Sequence, residues 1–226
     1  QPLLLTLSQR ICAAAMVAGC LLACLRPPGK RMASAIQHFA AGVVFAAVAI
    51  ELLPQLERTG SLTGMALGFV AGVAAMIAIK LLAERGGMLV PVAVDLLIDG
   101  LLVGIGFAAG AKGGLILLAA LTLEILFLGL SVTAAQTAAG HRGAVVLATA
   151  LGLGLLVPAG AGIGLALAGT SGAVLAAILG FGVAALLYLV TEELLEEAHE
   201  TPDTPWVTAA FFLGFLAVYV VSAAEG

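Results

Sequence analysis

Apolar residues run along this chain in long blocks, and polar residues fall mostly between the blocks. Eight blocks reach the ~20 residues that a helix needs to cross the hydrocarbon core of a bilayer. They cover approximately 4–25, 33–56, 61–83, 88–110, 114–137, 143–168, 172–198 and 205–224. The breaks hold proline, glycine and charge: Arg26-Pro27-Pro28-Gly29-Lys30-Arg31, Arg58-Thr59-Gly60, Arg85-Gly86-Gly87, Lys112-Gly113, Gly140-His141-Arg142 and Thr201-Pro202-Asp203. Only Gly169-Thr170-Ser171-Gly172 divides the sixth block from the seventh. The pattern predicts an all-α integral membrane protein of eight transmembrane helices, in a single transmembrane domain over residues 1–226. The first block has no clear small-residue cleavage site and reads as a span rather than a signal peptide.

Composition agrees. The chain is 62% hydrophobic and 10% charged, with mean hydropathy +1.21. A soluble domain is about half apolar and a quarter charged. The 29 glycines lie largely within the apolar blocks, where small residues let membrane helices approach closely. Net charge is −4, so there is no broad basic surface for nucleic acid. Cys12, Cys20 and Cys24 all fall in the first block. They form no disulfide framework or thiolate metal motif and read as small packing residues.

Basic residues set the expected orientation. The breaks after blocks one, three and five hold Arg26, Lys30, Arg31, Arg85 and Arg142, against Arg58 and Lys112 after blocks two and four. The first set is expected in the cytoplasm, with both termini outside. A compact chain without long loops suits a bacterial inner (plasma) membrane.

The chain also repeats itself. Block two ends Ala49-Ile50-Glu51-Leu52-Leu53-Pro54, and block seven ends Thr191-Glu192-Glu193-Leu194-Leu195-Glu196. Each is followed by a similar block, with Leu67-Gly68-Phe69-Val70-Ala71 in one and Leu213-Gly214-Phe215-Leu216-Ala217 in the other. Blocks one to three therefore match blocks six to eight. An odd offset between them means that the two units enter the membrane from opposite sides. The expected layout is two inverted three-helix repeats (1–3 and 6–8) around helices 4 and 5. Secondary transporters with inverted repeats bind substrate near the midplane.

Acids inside the blocks carry the chemistry. Asp95 and Asp99 stand four residues apart in block four, on one helical face. Glu124 is central in block five, flanked by apolar residues. Glu193 lies in the last third of block seven, and Glu51 holds the matching place in block two. A carboxylate near the bilayer centre costs about 2.5–3.5 kcal/mol on insertion scales. No Lys or Arg occupies comparable depth in the blocks; Lys80 and Arg10 are nearer block ends and can snorkel. A cation, protons or a water-filled cavity must offset the cost. Carboxylate oxygens suit Mg²⁺, Ca²⁺ and Mn²⁺ and also accept Fe²⁺ and Zn²⁺. Clustered acids favour partial protonation, so metal binding would release protons. Glu196, Glu197 and Glu200, near a helix end, read more as a solvated face than as ligands. His199 beside them is a candidate entry or exit ligand, though a lone interfacial His usually is neither. His38 reads mainly as a packing residue, and His141 as a surface loop residue.

These features resemble the ZIP (Zrt/Irt-like) family of divalent metal transporters. The resemblance rests on the eight blocks, on Phe39-Ala40-Ala41-Gly42 leading to Glu51-Leu52-Leu53-Pro54, on Asp99-Gly100, and on Glu192-Glu193-Leu194-Leu195-Glu196-Glu197-Ala198-His199. Family members carry His-Asn-x-Pro-Glu-Gly in helices four and five, which form the metal site with a glutamate from helix seven. By position, the helix-four His, Asn and Glu fall on Asp95, Leu96 and Asp99. Those of helix five fall on Glu124, Ile125 and Leu128, followed by Gly129, and the helix-seven glutamate falls on Glu193. Both motif histidines are thus acids here, and Ile98 and Phe127 stand where the prolines would.

The resemblance implies transport of a divalent metal ion (Zn, Mn, Fe or Cd) as substrate, by alternating access, with no resident cofactor and no catalytic residues. It implies one metal held by Asp95, Asp99, Glu124 and Glu193, with Glu51 and Glu197 as further candidate metal ligands. It also implies a homodimer in the lipid bilayer. An all-oxygen set should favour Mn²⁺ or Fe²⁺ over Zn²⁺. Loss of both prolines predicts straighter helices four and five. The alternative is a ZIP-fold protein that binds metal or protons as a sensor or moves a different substrate. An intramembrane aspartyl enzyme is disfavoured, because no Gly-x-Gly-Asp-type motif is present.

Overall fold

The computed structural model describes residues 2–25, 29–86, 89–200, 202 and 204–224, with side chains undescribed at 2–9 and 83–86. Arg26, Pro27, Pro28, Gly87, Thr201 and Asp203 of the predicted breaks, and the side chain of Arg85, lie outside the described residues. The helices are α1 Pro2–Leu25, α2 Lys30–Arg58, α3 Leu62–Gly86, α4 Leu89–Ala109, α5 Ala111–Ala138, α6 Gly143–Leu167, α7 Gly172–His199 and α8 Pro205–Ala224. Among the described residues, seven helices are long and apolar enough to cross a membrane. The described apolar part of α1, Arg10–Leu25, is shorter than a span. The protein is thus an all-helical membrane protein.

The ends of the helices follow local chemistry. α5 stops at Gly140, whose φ of +80° suits a residue without Cβ. There the Gly140 N–H donates to Thr137 O and the His141 N–H to Gln136 O, each at 3.0 Å. Gly60 (φ +66°) ends α2 in a similar way. α6 loosens at Leu155, where Pro158 cannot supply an N–H to the Gly154 carbonyl. α4 and α5, which lack a proline at their centres, run uninterrupted.

Two helices contain a single wide π-turn, at Val48–Leu52 in α2 and Val190–Leu194 in α7. In each, the following residue's N–H reaches back five residues, from Leu53 to Val48 O and from Leu195 to Val190 O. The first precedes Pro54, which cannot donate to Ile50 O. Near the second, the Thr191 hydroxyl donates to Leu187 O (3.0 Å) and Tyr188 O (3.1 Å). Such back-bonding competes with the helix ladder. Glu51 and Glu193, the residues that match between blocks two and seven, occupy the same place in the two turns.

The chain forms two compact units, neither continuous in sequence. One comprises Gln1–Pro28 and Ile77–Ala168; the other comprises Gly29–Met76 and Gly169–Gly226. Within each, glycines bring helices to backbone contact. In the first unit, a Cβ on Gly100 or Gly104 would overlap the Val157 or Ala161 carbonyl of α6. One on Gly160 or Gly164 would overlap the Leu97 or Leu101 carbonyl of α4. Gly19 of α1 and Gly129 of α5 pack on each other's helix in the same way.

In the second unit, Gly42 of α2 meets Phe211 of α8, and Gly214 of α8 meets Phe39 of α2. Gly64, Gly68 and Gly72 of α3 meet Ala173, Ala177 and Phe181 of α7. The pairs are therefore α1–α5 and α4–α6, then α2–α8 and α3–α7. These glycines of α3, α6 and α8 are used in packing inside the chain. The other faces of α3 and α8 expose Leu67, Val70, Phe212 and Leu216, an apolar coat suited to acyl chains.

Helix contact through backbone leaves no room for a methyl group. Gly104→Ala is expected to lower unfolding stability in detergent by about 1–3 kcal/mol, the usual cost of overpacking. Gly162→Ala, with open space around it, is expected to leave thermal unfolding unchanged or raise it.

Candidate metal centre

α4 and α5 form an antiparallel hairpin joined through Gly110, with Gly106 against Gly114 and Leu117. Counted away from that turn, Glu124 (14 residues from Gly110) stands level with a point between Asp99 (11 residues) and Asp95 (15 residues). Asp95 lies one turn further along the same face of α4. One carboxylate oxygen from each of Asp95, Asp99 and Glu124 can be chosen so that all three lie within 4.8 Å of one another. Oxygens bound to one Mg²⁺, Mn²⁺ or Ca²⁺ ion at about 2.0–2.6 Å stand at most about 4–5 Å apart. Only small side-chain adjustments would therefore put all three on one ion.

The three acids are 4%, 0% and 0% exposed, in that order. Leu96, Leu102, Leu121 and Ile125 of the same two helices are buried as well. Two unit charges at this separation repel by about 3–4 kcal/mol even at an effective dielectric constant near 20. Three ionised carboxylates would together oppose folding by about 10 kcal/mol, comparable to a whole domain's net stability. A proton or a cation at the site would relieve that repulsion.

The neighbouring helices fix it. α6 holds α4 through Gly100 and Gly104, and α1 holds α5 through Gly19 and Gly129. Cys12 of α1 is buried, with its Sγ 3.8 Å from the Thr122 hydroxyl, two residues before Glu124. The thiol thus contributes to the α1–α5 contact.

Glu51, Glu193 and Glu197 belong to the second unit. Glu51 is half-buried, and its Oε1 accepts a 2.7 Å hydrogen bond from Gln55 Nε2. Glu193 is half-buried in the α7 π-turn, and Glu197 is exposed one turn later, as are Glu196 and Glu200. His141 is exposed in the turn after α5. His38 is buried in α2, with its ring centre 5.1 Å from that of His199 of α7. Sequence reading weighed these two histidines singly, because 161 positions separate them and no spacing rule joins them.

No family model matches the chain, and no curated protein matches it in sequence. The site must be read from its own chemistry.

Three buried carboxylates within 4.8 Å of one another offer the oxygen donors that hard divalent cations take. Mn²⁺ at about 100 times its Kd is expected to raise unfolding stability by about 2.7 kcal/mol, read as a thermal shift in detergent. Asp99→Ala and Glu124→Ala should abolish the shift, whereas Glu200→Ala should preserve it.

Proposed function

We propose that this protein transports divalent metal ions across a membrane, in the manner of the ZIP family. The observation that carries this reading is the convergence of Asp95, Asp99 and Glu124, all buried, on two helices long and apolar enough to cross a membrane. Ionisable residues at membrane depth mark ion pathways. All three acids belong to one compact unit, so the ion's ligands can keep their mutual geometry while access alternates. Glu193, Glu51 and Glu197 are further candidate metal ligands, all within the second unit.

An inverted repeat supports transport rather than catalysis. Exchanging α1 with α6, α2 with α7, α3 with α8 and α4 with α5 turns the pair α1–α5 into α6–α4. It likewise turns α2–α8 into α7–α3. These are the pairs that the glycines make. The two acid-bearing π-turns obey the same exchange. On this reading α4 and α5 belong inside the repeat, although the sequence alone left them outside it. Eight spans with both termini outside a bacterial inner membrane, and a homodimeric assembly, complete the proposal.

The ligand chemistry sets the preference. Oxygen-only ligands favour Mn²⁺ or Fe²⁺, whereas imidazole would favour Zn²⁺. The test is ion uptake into proteoliposomes containing the purified protein, for Mn²⁺, Fe²⁺, Zn²⁺ and Cd²⁺ in turn. Saturable uptake is expected, with Mn²⁺ or Fe²⁺ ahead of Zn²⁺, and it should be lost in Asp99→Ala and Glu124→Ala. Metal binding without flux of any ion would favour a sensor instead.

A further inference from the structure

We propose that His38 and His199 form a second metal site, made for a borderline transition-metal ion of the Zn²⁺ class. The site lies wholly within the second unit, and the proposal does not depend on the acidic cluster carrying metal.

The ring nitrogens support it. His38 Nδ1 lies 2.9 Å from Ser34 O, one turn back along α2. His199 Nδ1 makes the same contact with Leu195 O on α7. A carbonyl oxygen can only accept, so in both residues Nδ1 carries the proton. The basic nitrogen of each neutral ring is therefore Nε2. A backbone carbonyl that fixes the tautomer in this way is the usual outer support of a metal-binding imidazole. Here both rings have it.

The rings are also correctly spaced. Two imidazoles bound through Nε2 to one tetrahedral ion, at about 2.0–2.1 Å, stand with ring centres about 5 Å apart. The observed separation is 5.1 Å, with the planes inclined at 58°. The two helices are tied at this level by the Ser34 hydroxyl, which donates a 2.8 Å hydrogen bond to Ala198 O. His38 is 1% exposed, so one ligand is held rigidly in the packed interior. His199 is exposed and lines an open pocket with Thr191, Leu195, Glu196 and Glu200. An ion could enter from that side, and two waters could complete four-coordination.

Two nitrogen ligands change the selectivity. Imidazole suits Zn²⁺, Ni²⁺ and Cu²⁺, whereas carboxylates suit Mg²⁺ and Mn²⁺. The second unit would thus hold the softer ions that the acidic cluster disfavours.

Co²⁺ is the probe, because in tetrahedral coordination it absorbs visible light and it replaces Zn²⁺. Titration of the purified full chain with Co²⁺ is expected to give a visible band that Zn²⁺ abolishes. His199→Gln should raise the Co²⁺ Kd at least about tenfold, since even loss of an outer support costs that much. His38→Gln should do the same, and the exposed His199 position gives the reading without disturbing the core. A variant carrying Asp99→Asn and Glu124→Gln should keep the band with unchanged Kd, whether or not it transports Mn²⁺. An unchanged Co²⁺ Kd in both histidine variants would overturn the proposal. So would a band lost in the acid variant but kept in the histidine variants, or no band at all.

Discussion

Three carboxylates held together in a hydrocarbon interior are the constraint on which the rest of the first unit depends. Their mutual repulsion, about 3–4 kcal/mol per ionised pair, would drive α4 from α5 if the helices were free to part. They are not. α4 is locked to α6, and α5 to α1, by glycines that leave no gap between backbones. Dispersion and close fit, not hydrophobic transfer, hold membrane helices together. A contact that admits no side chain is therefore the firmest one available. The strain of the cluster is contained by its neighbours, and a divalent ion or protons at the site would relieve it.

The glycine pairs also organise the remainder. Each compact unit is built from chain segments far apart in sequence. Both use the same device, small residues about one turn apart that set one helix against the carbonyls of another. The two π-turns add a second shared device. Each puts a glutamate, Glu51 or Glu193, where the helix ladder is locally widened. π-turns are frequent at functional sites, and here they accompany acids in an otherwise apolar helix. The second unit brings two imidazoles together, His38 and His199, with ring centres 5.1 Å apart.

Much of this was legible in the sequence, for definite physical reasons. A bilayer admits only long apolar helices, so runs such as 61–83 and 205–224 announce themselves and proline–glycine breaks bound them. Asp95 and Asp99 had to share a face, because four residues are about one helical turn. Glu124 was conspicuous, but its meeting with Asp99 depends on the register of the hairpin at Gly110. Helix partners were hidden. Gly104 shows that something approaches closely, and nothing in its spacing names Ala161. Pro54 hints at the first π-turn, whereas the second comes with Thr191, an ordinary residue in a helix. His38 read mainly as a packing residue and His199 as a lone candidate entry or exit ligand, and only the fold brought their rings together.

The central claim is that Asp95, Asp99 and Glu124 bind one divalent ion between them. Crystals of the purified protein grown with Mn²⁺, with diffraction recorded at the manganese absorption edge, test it most directly. The account predicts one anomalous peak within coordinating distance, about 2.0–2.6 Å, of an oxygen from each of the three side chains. Well-ordered carboxylates with no peak between them, in crystals where Mn²⁺ is bound elsewhere, would contradict it.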